Sequence, residues 1–180
     1  MIESKYINVK GINTHYLSGG NGPPVILIHG TGAGVFDWKF TIAPLSEHYS
    51  IYALDMVGYG HSDKPKTKYT LDYYIDFLEH FMDALQLNHP SLVGQCFGGA
   101  TALGLAIKSP ERIEKLIIAD SPFLGKTMSL EMISRLPFFL VKLFSRSSRR
   151  TVRLGFKVSV YDSRFVTDQM VEEAYQLRNM

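Results

Sequence analysis

The 180 residues predict an α/β domain: a mostly parallel sheet in a three-layer arrangement with helices, followed by a separate helical segment. Three observations carry that reading. Apolar, β-branched runs recur at "PVILIH", "YSIYALD", "PSLVG" and "KLIIAD", at intervals that leave room for crossover helices. Between them, Leu71, Tyr74, Ile75, Leu78, Met82 and Leu85 repeat at helical spacing on one face. Beyond residue 123 the buried-strand pattern stops and only helical periodicity continues.

Each element follows from local chemistry. "YINVKGINTHYL" reads as two short strands, Tyr6–Val9 and Ile12–Leu17, joined across Lys10 and Gly11 and closed by the turn-rich "SGGNGPP". "PVILIH" is a continuous apolar run, the pattern of a strand covered on both faces. Thr70 precedes the first helical repeat as an N-cap, and Asp72 is favourable in the first turn. A second helix runs from about Phe97 to Lys108, and Pro110 forces its end because proline cannot continue the hydrogen-bond ladder. The division expected is a core over residues 1–123 and a helical layer over 124–180. The last helix starts near Thr167 and reaches Met180 without a glycine stop, as though cut.

Composition narrows the function. With 46% hydrophobic and 12% aromatic residues, the chain can bury one good core. A net charge of +2 gives no global pull toward nucleic acid, and none is expected as a partner. A single cysteine excludes an intramolecular disulfide, and "MIESKYINVKG" lacks a secretory apolar region; the expected location is cytoplasmic. No apolar run reaches the roughly 18 residues of a membrane span. Positive charge gathers between Arg135 and Lys157, where seven basic residues stand without an acidic one, leaving 12 basic against 17 acidic elsewhere. A solvated helix face is the favoured reading of that stretch. Arginines gripping a substrate carboxylate are the second, and a lipid surface for "LPFFLVKLF" beside "SRSSRR" is the third. There is no metal-ligand cluster, and no cofactor is implied.

The chemistry rests on three motifs. In "GQCFGG", a strand leads through Gly94 and Gln95 to Cys96, then Phe97, Gly98, Gly99 and a helix. A nucleophile on a sharp strand-to-helix turn needs small neighbours, and at a helix N-terminus unpaired N–H groups favour a negatively charged attacking atom. The competing reading is a buried thiol among close-packing glycines. In "LIHGTGAG", His29, Gly30, Thr31 and Gly32 follow a strand and present backbone N–H groups where an oxyanion would develop. The amides of Thr31 and Phe97 are the natural pair, and His29 is expected to hold the loop rather than to act as a base. A phosphate loop is disfavoured because the lysine of that motif is missing. In "DMVGYGHSDKP", Gly58 and Gly60 permit a tight loop that Asp55 can brace through backbone amides.

Together these motifs resemble the α/β-hydrolase superfamily, in the branch with a helical cap after the sixth strand. The resemblance rests on His29–Gly32, on Asp55–Pro65, on Gly94–Gly99 and on "PERIEKLIIAD", and "HGTGAG" with "YDSRFVTDQMVEEAYQ" is most similar to the meta-cleavage-product hydrolases and their esterase relatives. It implies a sheet present through strand six with strands seven and eight missing, and a hydrolase cutting an ester or a carbon–carbon bond beside a carbonyl. It implies Cys96 as nucleophile, Thr31 and Phe97 as oxyanion donors, and His29, Gly30, Gly32, Gly94, Gln95 and Gly98 as the residues that shape the site. The substrate expected is a small carboxylate or apolar ester. Two departures matter. The family's usual nucleophile is serine, so Cys96 marks either a cysteine-using member or an exchanged residue. The family's order is nucleophile, acid, histidine, whereas His15, His29, His48, His61, His80 and His89 all precede Cys96 and Asp120 has no later histidine to orient. The other function class is therefore a non-catalytic protein of the same fold that binds a small ligand. An uncovered sheet edge would favour a homo-oligomer.

Overall fold

The computed structural model describes residues 1–121, 148–159 and 162–178. The chain forms two compact units, Met1–Gly125 and Lys126–Met180.

The first unit is built on six strands: β1 (Glu3–Val9), β2 (Ile12–Gly19), β3 (Pro24–Ile28), β4 (Ser50–Leu54), β5 (Ser91–Gln95) and β6 (Leu116–Ala119). They lie in the order β1-β2-β4-β3-β5-β6. The hairpin pairs antiparallel, β2 meets β4 antiparallel, and β4, β3, β5 and β6 run parallel. β3 thus sits between β4 on one side and β5 on the other. Such a reversal of winding opens a crevice at the carboxyl ends of the strands, and the loops after β3 and β5 both leave from that end.

The apolar run of β3 divides by the two-residue period of a strand. Ile26 and Ile28 join one core with Tyr74, Phe77, Leu78 and Phe81 of α2 (Leu71–Ala84) and Ala102 and Leu105 of α3 (Phe97–Lys108). Val25 and Leu27 face a second core with Val35, Trp38, Ile42, Ile51 and Ala53. Trp38 closes a short 3-10 turn, Val35–Trp38, and Ile42 opens the four-residue α1 (Ile42–Leu45). No helix is expected there from the sequence, because neither element reaches the length at which helical periodicity can be seen.

The predicted helices form where expected. Thr70 caps α2, its hydroxyl accepting from the Tyr73 N–H at 3.2 Å. α3 ends at Lys108 ahead of Pro110. Lys108 pairs with Asp76 and Glu79, and Arg112 with Glu79 and Asp83, which ties the end of α3 to α2. The strand limits are corrected. β1 begins at Glu3 rather than Tyr6 and β2 extends to Gly19 rather than Leu17, because the ladder continues through Glu3↔Ser18 although polar residues hide it in the sequence. β3 stops at Ile28, before His29. β6 differs from the other parallel strands: Ile117 is 56% exposed, so a run that resembles the others is not enclosed on both faces.

In the second unit, α4 (Arg149–Ser159) and α5 (Asp168–Arg178) meet through Val152, Val166, Val171 and Ala174, with Phe156 and Tyr175 against them. The basic stretch is part-neutralised here. Arg149 binds Glu172 through two hydrogen bonds of 2.5 and 2.9 Å and lies over the Tyr175 ring, and Arg153 pairs with Asp168. These two arginines hold α4 to α5, which the absence of local acids in α4 did not suggest. Arg135, Lys142 and Arg146, and the apolar "LPFFLVKLF", lie outside the described residues.

Candidate active site

β5 and α3 meet at Cys96, whose backbone has φ 50 and ψ −120. This left-handed excursion is uncommon for a residue with a Cβ and stores strain of about 1 to 3 kcal/mol. Neighbouring hydrogen bonds hold it. The Cys96 N–H donates to Ala119 O of β6 at 3.0 Å, while the Cys96 carbonyl accepts from Gly99 and Ala100. The turn closes only over glycine: a Cβ on Gly98 would lie 2.4 Å from Ile28 O, and one on Gly94 would lie 2.5 Å from Gly98 O. Gln95 is half-buried and completes the β5–β6 ladder opposite Ala119. Cys96 is half-buried, and the N–H groups of Phe97 and Gly98, the first two of α3, have no acceptor within the helix ladder.

The loop after β3 lies against this turn. A Cβ on Gly30 would stand 2.9 Å from Cβ and 3.6 Å from Sγ of Cys96, so Gly30 is the face that Cys96 meets. Thr31 follows, exposed, and Gly32 turns the chain with φ +73. The geometry thus brings the residues around His29–Gly32 and Gly94–Gly99 together.

His29 is fully enclosed. Its Nδ1 donates to Gly30 O at 2.7 Å and its Nε2 accepts the Met56 N–H at 3.0 Å. A carbonyl can only accept and an amide N–H only donate, so the ring is neutral with its proton on Nδ1. Burial pushes its pKa down, against smaller opposing effects of the Gly30 carbonyl and Asp55. Both nitrogens are used, and His29 has no lone pair left with which to take a proton.

Asp55 braces the same region from the end of β4. Its Oδ1 accepts from Val35 N–H at 2.8 Å, and its Oδ2 from His61 N–H at 3.0 Å and His15 Nδ1 at 2.7 Å. Burial favours the neutral acid, but the donors from His15, His61 and Val35 outweigh it and the pKa falls below the ordinary value. Gly60, with φ +50, passes so close that a Cβ would strike the Asp55 carboxyl group at 2.2 Å. The sequence pointed to Asp55, Gly58 and Gly60 but not to His15, which sits 40 residues earlier on another strand.

An aromatic chain also escaped the sequence reading. His29 meets Tyr59 at 5.3 Å, Tyr59 meets Tyr74 at 6.3 Å, and Tyr74 meets Phe97 edge-on at 5.1 Å. It runs from the loop after β3 to the head of α3. The helical spacing marked Tyr74 as core, which it is; its link to Phe97 is tertiary. Among the described residues no group of acids, histidines or cysteines is placed to hold a metal ion, and no helix is long and apolar enough to cross a membrane.

Known proteins share this fold. The chain is 34% identical over 170 residues to a 2-hydroxy-6-oxo-2,4-heptadienoate hydrolase of Pseudomonas putida, covering 92% of this chain and 59% of that protein. A meta-cleavage product hydrolase from Pseudomonas fluorescens, solved with acetates as a serine-to-alanine mutant, superimposes with a TM-score of 0.83 at 30% identity, covering 98% of this chain and 64% of that one. A serine hydrolase involved in carbazole degradation superimposes with a TM-score of 0.80 at 30% identity, covering 99% and 64%. This chain carries cysteine in its glycine-flanked turn. It spans between 41% and 59% of the length of curated relatives of this group. The model of the alpha/beta hydrolase fold matches residues 23–175, and with the sheet order, the strained turn at Cys96 and the adjoining Gly30 loop, the chain belongs to the α/β-hydrolase fold family.

Proposed function

We propose that this chain supplies the nucleophile half of a hydrolase acting on a small ester or on a carbon–carbon bond beside a carbonyl. The observation that carries the reading is the strained Cys96 turn seated against Gly30. Strain of this kind persists only where the surroundings enforce it, and it exposes the side chain at a helix N-terminus.

In the reaction, Cys96 Sγ attacks the substrate carbonyl carbon, and the N–H groups of Thr31 and Phe97 hold the developing oxyanion. Collapse expels an alcohol from an ester, or an enolate from a diketo acid, and leaves a thioester that water hydrolyses. The base for these proton transfers is not His29, whose nitrogens are both occupied. Every histidine of the 180 residues precedes Cys96, so none of these six stands after the nucleophile as the family's order places its base. Acylation without sustained turnover is the expected behaviour, since an oxyanion site alone retains about 10³-fold catalysis over water. The P. putida relative, named for a hydroxy-oxo-dienoate, supports the carbon–carbon substrate class.

The test is mass spectrometry of the 180-residue chain after exposure to p-nitrophenyl acetate and, separately, to 2-hydroxy-6-oxo-2,4-heptadienoate, the compound in that relative's name. One acyl group on Cys96, lost in C96A, supports the nucleophile. Saturable binding of the dienoate with no adduct on Cys96 rejects it and leaves a ligand-binding protein of the same fold.

A further inference from the structure

Ser4, His15 and Asp55 form a hydrogen-bonded chain that shares no residue with the Cys96 turn. Ser4 Oγ lies 2.9 Å from His15 Nε2, and His15 Nδ1 lies 2.7 Å from Asp55 Oδ2. Register explains the meeting. His15 on β2 stands opposite Tyr6 on β1, and Ser4, two residues before Tyr6, shares its face. Asp55 at the end of β4 closes the line from the other side.

Each part is set for one role. Asp55 is fully buried and fixed by the Val35 and His61 N–H groups, so its second oxygen presents a stationary acceptor to Nδ1. A proton held on Nδ1 leaves the Nε2 lone pair directed at Ser4. His15 is 4% exposed, and the rings of Tyr6 and His61 pack against its imidazole at 5.1 and 5.0 Å, which fixes its plane. Ser4, by contrast, is exposed on the edge strand, where a small molecule can reach it. A hydroxyl, an imidazole and a carboxylate in this order form the arrangement that turns a serine into a nucleophile.

We propose that Ser4 is a second nucleophile, activated by His15 and Asp55, that accepts acyl groups from small activated esters. The Ser4 Oγ–acyl carbon bond forms as the ester C–O bond breaks. The Ser4 proton passes to His15 Nε2 and from there to the departing alkoxide. The product is an acyl-serine and an alcohol.

The experiment uses C96A, which removes the competing thiol, and p-nitrophenyl acetate, with acetylation of each serine followed by peptide mass spectrometry. The expected result is acetylation of Ser4 about 100-fold faster than the exposed Ser163, the gain typical of a positioned general base. The added substitution H15N keeps a donor toward Asp55 and deletes the base; Ser4 should then fall to the Ser163 rate. Unfolding in urea should abolish the difference without any further substitution. Equal rates at Ser4 and Ser163 in the folded protein overturn the proposal, as does a Ser4 preference that survives either H15N in a folded protein or urea. The C96A background separates this outcome from failure of the Cys96 reading.

Discussion

A Cβ on Gly30 would lie 2.9 Å from the Cβ of Cys96: the loop after β3 passes the turn after β5 too closely for a side chain at position 30. Cys96 is pinned by Ala119, Gly99 and Ala100, and Gly30 by the His29 ring.

Gly30→Ala is therefore expected to destabilise the protein by about 1 to 3 kcal/mol through overpacking. Displacing Cys96 should also slow its acetylation by about 100-fold, since a shift near 1 Å has that effect on a reacting group. Gly98→Ala should cost more stability than Gly30→Ala, because its added carbon meets the Ile28 carbonyl at 2.4 Å, a backbone atom that cannot rotate aside. Urea denaturation of both variants, with acetylation rates measured on the folded fraction, checks the order.

The left-handed backbone at Cys96 gives a second expectation. Glycine tolerates such a conformation and alanine does not, so Cys96→Gly should be more stable than Cys96→Ala by about 1 kcal/mol, against the usual ranking of those residues. Neither variant should be acylated at position 96. A glycine variant less stable than the alanine one would remove the strain from the account.

Acid should destabilise the fold in two stages. Burial lowers the His29 pKa from 6.5 in the folded state. Below that value the unfolded chain binds a proton that the native ring refuses, so stability is full above about pH 6.5 and declines below it. The decline attributable to His29 is at most about 1.4 kcal/mol per pH unit. Asp55, its folded pKa below 3.8, contributes stability that is present above that value and lost as pH falls through the lower folded one. Urea melts between pH 8 and 5 should show the first stage in the parent protein and a shallower slope in His29→Gln; parallel slopes in the two would exclude His29 as its source.

At α2, Thr70→Ala should cost about 1 kcal/mol by leaving the Tyr73 N–H without its 3.2 Å acceptor. Thr70→Ser should restore most of it. Thermal melting of the pair distinguishes a lost cap from a lost methyl group.

How far the sequence could be read depends on the range of each interaction. α2 was legible because Thr70, Asp72 and the apolar stripe all act within a few turns of one helix. β3 was legible as a run but not at its end: its residues promised a strand through His29, and only the demand of the Met56 N–H and Gly30 carbonyl on that ring draws His29 out of the ladder. The Val35–Trp38 turn was invisible, since what fixes it is the Asp55 carboxylate 20 residues away.

The sequence by itself determined the motif order, the glycines around Cys96, the cap of α2 and the absence of any histidine after Cys96 among the 180 residues. These are local or combinatorial facts, set by backbone sterics and by the residues present. Only the tertiary structure decided that Gly30 meets Cys96, that His29 is neutral and fully engaged, and that Ser4, His15 and Asp55 stand in line. Apart from the bond between the neighbours His29 and Gly30, those relationships join residues 11 to 66 positions apart, and no periodicity in a chain encodes which strand will lie beside which. Sheet order settles that, through the burial of both faces of β3.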